Sequence, residues 1–198
     1  MIAALYVDRR GQYFGRDGVD PWNETRDARK YAGPHPVVAH PPCQLWVNMA
    51  AVNFKRWGGE HNRPAWSGGS DGGCFASALA SVRAYGGVLE HPAFSHAWEA
   101  HALTRPVGIG WQQTAASEWV CEVWQSAYGH KARKRTWLLY SGAQTPLELD
   151  WTRKPGTHHI GNCGGPTATK PTVTKAEAIH TPPSFADALI TLAKWSKG

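Results

Sequence analysis

The stretch VVAHPPCQ, residues 37–44, constrains the fold of this chain more than any other. Its two valines begin a short apolar run that predicts a buried strand. Pro41 and Pro42 must end that strand because proline cannot donate to a sheet ladder. Cys43 therefore directly follows the end of a strand, where an open α/β sheet binds its ligands. The position makes Cys43 a candidate reactive thiol, and the alternative is a buried cysteine that packs as a small hydrophobe.

The composition indicates one domain over residues 1–198. With 42% hydrophobic and 18% charged residues, the chain is long enough for one well-packed core and short for two. It has neither an apolar stretch of membrane-spanning length nor a secretory leader, so we expect a cytoplasmic protein with no membrane partner. The four cysteines form no C-x-x-C pair, which argues against a zinc ribbon and a disulfide scaffold. We expect reduced thiols and no bound metal.

An excess of basic residues points to a phosphate-bearing partner. The chain has 21 Lys and Arg against 15 Asp and Glu, a net charge of +6 and a pI near 9.3, which favours DNA or a nucleotide. Tryptophans beside basic residues can stack on bases. Residues 45–73 combine three tryptophans with basic residues and glycines and predict a mobile, lid-like loop beside Cys43. An ordinary surface loop is the alternative.

The first half of the chain predicts a hairpin followed by a βαβ unit. Alternating residues on both sides of a tight turn indicate the hairpin at residues 3–15. Helical spacing of apolar residues predicts a helix over 74–85 that ends at a glycine pair, and VLEHP at 88–92 is a second short strand. Because a βαβ unit leaves its strands parallel, we expect Cys43 and Glu90 at carboxyl ends of strands in one sheet.

The second half completes the sheet around a basic turn. Strand-like runs at 118–125 and 136–142 flank that turn, residues 143–174 predict an irregular insert, and an amphipathic helix follows at 184–195. The whole pattern indicates an α/β fold, a single-domain Rossmann-like mixed sheet. The G-x-G-x-x-G fingerprint of nucleotide cofactors is absent.

Charged side chains near the predicted strand ends are candidate site residues. Glu90 is one, because an unpaired buried carboxylate is costly to desolvate, and a surface ion pair is the alternative. Arg133 and Arg135 are two residues apart at the entry of a strand and should point to one face, where they could hold a phosphate or a base oxygen. A solvated basic turn is the alternative for this pair.

Three blocks of the chain resemble motifs of DNA cytosine-5 methyltransferases. PPCQ at 41–44, LEHP at 89–92 and YGHKARKRTWLLYSG at 128–142 are similar to the PPCQ, E-N-V and Y-G-x-P-Q-x-R-x-R-x-hydrophobic blocks of that family. The resemblance covers roughly the middle half of the chain, and the order of the blocks makes it more specific than any one of them. It implies the catalytic core of those enzymes and extrusion of the target base from the duplex.

The resemblance implies a role for each candidate residue. Cys43 would be the nucleophile that adds to C6 of a pyrimidine, Glu90 would hold the N3 edge of the base, and Arg135 would lie near its O2. Such an addition is eased when charge building at N3 is neutralised. The expected substrate-binding residues are His40, Gln44, Trp46, His91, Lys131 and Arg133. His40, His91 and the basic turn are also expected to keep the thiol ionised.

The chain departs from the family at several positions. The glycine-rich cofactor block is absent, so S-adenosylmethionine is implied by the resemblance alone and the cofactor is unknown. The asparagine of E-N-V is His91, and the glutamine of the third block is Lys131. The insert at 143–174 is too short for a separate target-recognition domain. Either sequence specificity is low, or a protein partner supplies it.

Three classes of function remain open. The first is an enzyme that modifies a pyrimidine of DNA or of a nucleotide by cysteine addition, resembling the C5 methyltransferases. The second is a non-catalytic protein that keeps the fold and binds or masks DNA, as in a phage or mobile element. The third is a metal-dependent enzyme built on His158, His159 and Cys163, whose spacing matches no regular zinc pattern.

Overall fold

The computed structural model describes residues 1–161 and 169–198, and within them seven strands form one sheet. The strands are β1 Ile2–Leu5, β2 Val19–Trp22, β3 Val37–Ala39, β4 Gly87–Pro92, β5 Gln112–Gln113, β6 Trp119–Trp124 and β7 Arg135–Ser141. The helices are α1 Met49–Trp57, α2 Cys74–Tyr85, α3 His96–Ala100, α4 Lys175–Ile179 and α5 Pro183–Trp195. Short 3-10 turns lie at Ala28–Lys30, Glu60–Asn62, Ala65–Ser67 and Gln125–Tyr128.

The sheet has a parallel half and an antiparallel half, in the order β2-β1-β3-β4-β7-β6-β5. Strands β2, β1, β3 and β4 run parallel, whereas β7 is antiparallel to β4, β6 to β7 and β5 to β6. This confirms the predicted α/β mixed sheet and is consistent with a Rossmann-like fold. The register pairs Ala39 with Leu89. The next residues, His40 and Glu90, therefore lie side by side where β3 and β4 approach their carboxyl ends.

The chain changes direction across the sheet between β1 and β3. From β1 it crosses to β2 on one side, and it then returns to β3 on the other side of β1. Such a topological switch point leaves a crevice at the carboxyl ends of the two strands, where open α/β sheets bind their ligands. His40 and Cys43 follow β3 at this crevice.

Helices cover both faces of the sheet because strand residues alternate between two apolar cores. One core packs Leu89 of β4 against Phe75 of α2, and the other packs the preceding residue, Val88, against α5. The inward residues of α5 are those that its sequence pattern predicts: Phe185, Leu189, Leu192 and Ala193. Each large side chain buried in this way stabilises the fold by about 2 kcal/mol.

The βαβ unit forms as its pattern predicts. Helix α2 ends at Gly86, which has a φ of 75°, and β4 begins at Gly87 with a φ of 121°. A Cβ on Gly87 would lie 1.9 Å from the carbonyl oxygen of Val37. Only glycine permits both this backbone conformation and the close approach of β4 to β3, so the glycine pair ends the helix and allows the strands to pair.

The predicted hairpin at residues 3–15 is wrong. Strand β1 pairs with β2 and β3, both parallel to it, and the chain leaves β1 through Tyr6, which has a φ of 61°. The second half of the expected hairpin supplies a buried ring instead, since Tyr13 is 2% exposed and packs in the α5 core. Apolar alternation over a few residues does not distinguish a strand from a loop whose rings pack inward.

The segment at 45–73, predicted as a lid-like loop, contains α1 and two 3-10 turns. It packs against the rest of the protein through stacking of Trp66 on His96, with ring centroids 3.9 Å apart. The described residues of the insert at 143–174 lie in no helix or strand. They pair with other segments of the chain through isolated β-bridges, such as the bridge between Ala132, in the turn before β7, and Gly156.

No helix among residues 1–161 and 169–198 is long and apolar enough to cross a membrane. The longest of them, α5, has 13 residues, whereas a membrane span needs roughly 20.

One histidine lies inside the α2 core. His91 of β4 is fully buried and packs against the rings of Phe75 and Trp98. Among the described residues its ring nitrogens make no hydrogen bond of good geometry, and the backbone of Pro42 is the polar group that lies near them. Burial lowers the pKa of His91 to about 4, although the charge of Glu90 acts in the opposite direction. The imidazole is therefore neutral at physiological pH.

The protein should lose stability between pH 6.5 and pH 4 because of His91. Its imidazole takes up a proton near pH 6.5 in the unfolded chain, but only near its folded pKa of about 4 in the native protein. The unfolded state binds more protons across this window, so the free energy of unfolding falls by about 3 kcal/mol as the pH falls. His91→Leu should remove this dependence in urea unfolding at pH 7 and pH 4.5. The control His61→Leu, which replaces an exposed histidine, should retain the pH dependence. An unchanged pH dependence in His91→Leu would contradict its assignment to His91.

Candidate functional site

Cys43 lies directly after β3 on a turn that proline constrains. Pro41 is buried and Pro42 exposed, and the carbonyl oxygen of Cys43 accepts the backbone N–H of Trp46 at 2.9 Å. Because proline fixes its own φ and cannot extend the ladder, the strand stops and the chain turns at the thiol. Cys43 is partly exposed, so the turn presents it at the crevice.

A chain of hydrogen bonds leads to Glu90. The hydroxyl oxygen of Tyr13 lies 2.7 Å from Nε2 of His40, and Nδ1 of His40 lies 2.9 Å from Oε2 of Glu90. The other carboxylate oxygen of Glu90 accepts the side-chain N–H of Gln125 at 3.3 Å. Both oxygens of this buried carboxylate therefore have a hydrogen-bond partner.

These partners keep the carboxylate of Glu90 ionised. Burial alone would raise the pKa of Glu90, but the hydrogen bond and charge of His40, followed by the charge of Lys134, outweigh burial and lower the pKa below its usual value. Hydrogen bonds and opposite charge favour the charged form of a carboxyl group. Glu90 is therefore a negative charge at neutral pH.

The thiol of Cys43 is protonated in the resting protein. Burial raises its pKa to about 11, the nearby charge of Glu90 acts in the same direction, and the charge of Lys134 opposes them. The expectation that His40, His91 and the basic turn keep the thiol ionised is therefore wrong. The structure brings Cys43 and Glu90 together, and their proximity makes the thiolate less stable.

The backbone of Lys134 turns its side chain into the site. Lys134 has a φ of 38°, a left-handed conformation that few residues other than glycine adopt. The reversal falls between Arg133 and Arg135 and breaks the alternation that would place those two side chains on one face. The residue between the arginines, which the sequence pattern does not single out, therefore supplies the cation of the site.

The side chain of Lys134 lies among Glu90, Cys43 and the chain before α5. Burial lowers its pKa, and the negative charge of Glu90, with that of Cys43 when the thiol is ionised, acts against that change. Its Nζ donates to the carbonyl oxygen of His180 at 2.7 Å. The salt bridges within residues 1–161 and 169–198 do not include Lys134. Its charge is thus near Glu90 without being in direct contact with a carboxylate.

The structure does not bring Arg135 to Cys43 and Glu90. The register of β4, β6 and β7 points Arg135 to the sheet face opposite that of Glu90. Its guanidinium bonds both oxygens of Glu122, at 2.8 and 2.7 Å, and lies 4.5 Å from the ring centroid of Phe94. Arg135 is therefore held in a bidentate ion pair.

The other two candidates of the basic turn lie at the surface. Arg133 is exposed and its guanidinium lies 5.0 Å from the ring centroid of Trp124. Lys131 is exposed and bonds the carboxylate of Glu177 through its Nζ. Arg133 thus remains open to a ligand, whereas the charge of Lys131 is matched by an acidic neighbour.

The remaining sequence candidates are divided between the surface and the core. Gln44 is exposed next to Cys43. Trp46 is 6% exposed, packs in the α2 core and donates its Nε1–H to Asp71 at 2.9 Å, so its ring is not free to stack on a base. His91 lies in the same core, on the sheet face away from Glu90.

Three residues of the site belong to no recognisable sequence motif. Tyr13 comes from the segment after β1, Gln125 from the 3-10 turn after β6, and Lys134 from the turn before β7. Their side chains meet Glu90 and His40 only because the sheet order brings these segments to one edge. The one usable signal is that Gln125 and Lys134 flank strand ends, where ligand-binding residues concentrate.

The ends of β1 and β2 do not fit S-adenosylmethionine, the cofactor that the resemblance implies. A bulky residue, Tyr6, follows β1, where close approach of a nucleotide cofactor needs glycine. Both carboxylate oxygens of Asp20 in β2 already accept bonds, one from Arg26 and the other from Nε1 of Trp22. No glycine therefore directly follows β1, and the carboxylate within β2 is not free to bind a ribose.

Within the described residues no group of three or more His, Cys, Asp or Glu side chains has the arrangement of a metal site. The third hypothesis rests on His158, His159 and Cys163, of which Cys163 lies outside the described residues. Nδ1 of His158 lies 2.9 Å from the hydroxyl of Thr157.

Alkylation of Cys43 should report its raised pKa. With a pKa of about 11 in place of 9.0, the thiolate fraction at pH 8 is about 100-fold below that of an ordinary thiol, and the alkylation rate should keep rising tenfold per pH unit to about pH 11. Glu90→Gln should speed the reaction, because it removes a negative charge that raises the pKa of the thiol. Lys134→Met should slow it, because it removes a positive charge that lowers that pKa. Iodoacetamide labelling followed by peptide mass spectrometry measures these rates. A rate that levels off near pH 9 would contradict the assignment.

Comparisons of the chain with protein-family models, with curated proteins and with solved structures find no match. The resemblance to DNA cytosine-5 methyltransferases therefore rests on the residues of the three blocks at 41–44, 89–92 and 128–142. Two of these blocks place Cys43 and Glu90 at one crevice, and the third contributes Lys134 where the resemblance implies Arg135.

Proposed function

We propose that this protein is an enzyme that modifies a pyrimidine base of DNA, with Cys43 as the nucleophile that adds to C6. One observation carries the proposal: a thiol, an ionised carboxylate and an ammonium group lie near one another at the sheet edge where β3 and β4 end, close enough that their charges act on each other's pKa. Cys43 follows β3, Glu90 lies on β4 and Lys134 precedes β7. The resemblance to the cytosine-5 methyltransferase core supports the same chemistry for the first two residues.

These three groups suit the chemistry of a pyrimidine ring. C5 becomes nucleophilic only after a thiolate adds to C6. In cytosine the new S–C6 bond displaces the C5=C6 electron pair toward C4, and N3 takes up a proton. A carboxyl group at the N3 edge eases that proton transfer. Glu90 is the group available for this role.

Lys134 would take the role that the resemblance gives to Arg135. Electron density pushed into the ring during addition also reaches O2, and a fixed cation in a water-poor site stabilises it. Lys134 lies close enough to Cys43 to act on the thiol pKa, whereas Arg135 is bonded to Glu122 on the opposite face.

The helix after Cys43 fits a nucleic-acid strand. Helix α1 carries Lys55 and Arg56 and no acidic residue. Trp57 of the same helix is 65% exposed, and the guanidinium of Arg56 lies 5.2 Å from its ring centroid. Cations and exposed rings in this combination bind phosphates and stack on bases.

A second group of rings and cations lies at the same edge of the sheet. Because β6 runs parallel to β4, Trp124 ends at the edge where Glu90 lies. The guanidinium groups of Arg133 and Arg153 lie 5.0 and 5.8 Å from the ring centroid of Trp124. The two groups would hold a strand on either side of the crevice, and a protein partner could add the sequence specificity that they do not provide.

A non-catalytic DNA-binding or DNA-masking protein is the second candidate function. It is favoured by the protonated Cys43, whose pKa burial raises to about 11, and by the poor fit of the β1 and β2 ends to the cofactor. The two candidates share the basic surface and differ in whether Cys43 forms a bond to the base.

Exchange of the C5 hydrogen of cytosine should separate the two candidates. Addition of Cys43 to C6 lets C5 take a deuteron from D₂O and then lose its original proton as the thiol leaves, so exchange needs no transferred group. Wild-type protein should exchange this hydrogen in a cytosine oligonucleotide, tested single-stranded and as duplex, and Cys43→Ala should abolish the exchange. Lys134→Met should slow it about 100-fold because a fixed charge at the ring is lost. Mass spectrometry of the released nucleosides measures the exchange.

The matched control for the nucleophile is Cys74→Ala, which removes the thiol at the first residue of α2. This variant should exchange as the wild type does. Exchange that survives in Cys43→Ala would mean that the nucleophile is misassigned. Tight DNA binding with no exchange by wild type on single strands, duplexes or deoxycytidine monophosphate would favour the binding protein.

DNA binding should weaken steeply with salt through α1. Each phosphate contact releases counterions and contributes about 0.7 to the slope of log K against log salt for a single strand, and about 0.9 for a duplex. The double variant Lys55→Gln with Arg56→Gln should therefore reduce the slope by about 1.4 for a single strand and by about 1.8 for a duplex. Fluorescence anisotropy from 50 to 300 mM salt measures it.

The charge-matched control is Lys175→Gln with Lys194→Gln, which removes two exposed cations from α4 and α5. It should leave the slope nearly unchanged. Equal slopes for the two double variants would show that α1 does not contact the phosphates.

A further inference from the structure

We propose that Tyr13 and His40 hold Glu90 as a proton carrier, which takes the thiol proton of Cys43 and passes it to N3 of the pyrimidine. The inference rests on the proposed function and adds the path of the proton. It is carried by the continuous hydrogen-bond chain from Tyr13 through His40 to Glu90, with distances of 2.7 and 2.9 Å. His40 is then a positioning residue, in place of the substrate contact expected from the sequence.

Tyr13 and Glu90, the two ends of this hydrogen-bond chain, have defined protonation states. Burial raises the pKa of Tyr13 well above its usual value, so the hydroxyl keeps its proton where it contacts Nε2 of His40. The ionised carboxylate of Glu90 can only accept, so Nδ1 of His40 carries the hydrogen that points to Oε2. The imidazole of His40 is thereby held between Tyr13 and Glu90 by a contact at each ring nitrogen.

Titratable and charged groups from several elements lie near this chain. They are Lys134 from the turn before β7, Cys43 from the turn after β3, His91 from β4, Arg16 from the segment after β1, and Asp187 from α5. Arg16 and Asp187 form a salt bridge with each other, and His91 is neutral because burial lowers its pKa to about 4. Of these groups, Cys43 is the one that must lose a proton to react, and Glu90 is the ionised base beside it.

The step balances without an outside acid or base. Glu90 removes the proton from Sγ of Cys43, and the sulfur electron pair forms the bond to C6. The C5=C6 pair shifts to form C4=C5, and the C4=N3 pair moves onto N3, which takes the proton from Glu90. The carboxylate is restored, His40 keeps its Nδ1–H, and the net result is transfer of one proton from sulfur to nitrogen.

The pH dependence of C5-hydrogen exchange in a cytosine oligonucleotide tests this role. In the wild type the rate should fall at low pH only where Glu90 becomes protonated. His40→Gln keeps an N–H donor but removes the imidazole, so the pKa of Glu90 should rise. The fall of the exchange rate at low pH, the acid limb of the pH profile, should then move to higher pH. A rise of one pKa unit lowers the rate on the acid limb about tenfold. Tyr13→Phe keeps the ring and loses only the hydroxyl that contacts Nε2, so it should move the limb in the same direction by less.

Carboxyl ¹³C NMR titration of Glu90 in the protein without substrate should give the same order of pKa values. The matched control is Tyr31→Phe, which removes another buried phenol that donates to the carbonyl oxygen of His35 at 2.7 Å. It should leave the acid limb in place. Exchange by the wild type with an unmoved limb in His40→Gln would overturn the proton-carrier role and leave the proposed function standing. No exchange by the wild type on any cytosine substrate would overturn both.

Discussion

The largely buried carboxylate of Glu90 is the constraint on which the rest of the site depends. A carboxylate inside a protein is stable only when its oxygens are bonded and opposite charge is close. His40, Gln125 and Lys134 meet these needs from three different elements. A slip of one residue in the pairing of β3 with β4 would turn His40 to the other face and leave Glu90 without this partner. The charge of Glu90 therefore favours the observed register of β3 and β4, as the apolar pattern of the two strands does.

The parts of the fold that can be predicted from the sequence are those with local signals. The apolar run closed by Pro41 and Pro42 gives β3, and the helical spacing closed by Gly86 gives α2. The strand that follows α2 is then expected to lie parallel to β3, because a crossover through a helix is the usual connection between parallel strands. The placement of Cys43 and Glu90 at one edge of the sheet follows from these local signals, since parallel strands present their carboxyl ends at the same edge.

The parts that cannot be predicted depend on contacts between residues far apart in the chain. The alternation after β1 is the same for a hairpin as for a loop that buries Tyr13, and the pairing of β1 with β3 decides between them. Nothing in the run of basic residues marks Lys134 as the one with positive φ. The sequence position of Trp46 predicts a ring that is available beside a reactive thiol. In the structure its Nε1–H donates to Asp71, 25 residues later in the chain. In each case a distant partner overrides the local pattern.

The resting charges of the crevice explain how a protonated thiol can serve an enzyme. Before a base enters, the carboxylate of Glu90 faces the side chain of Lys134, and Cys43 is neutral because burial and Glu90 raise its pKa. A preformed thiolate would add a second negative charge beside Glu90 in a partly desolvated site, where Coulomb repulsion is stronger than in water. Forming the thiolate only as sulfur attacks C6 avoids that state, since the charge passes into the ring near Lys134. The same repulsion would keep Cys43 unreactive toward oxidants and alkylating agents while the crevice holds no base, because the thiolate is the species they attack.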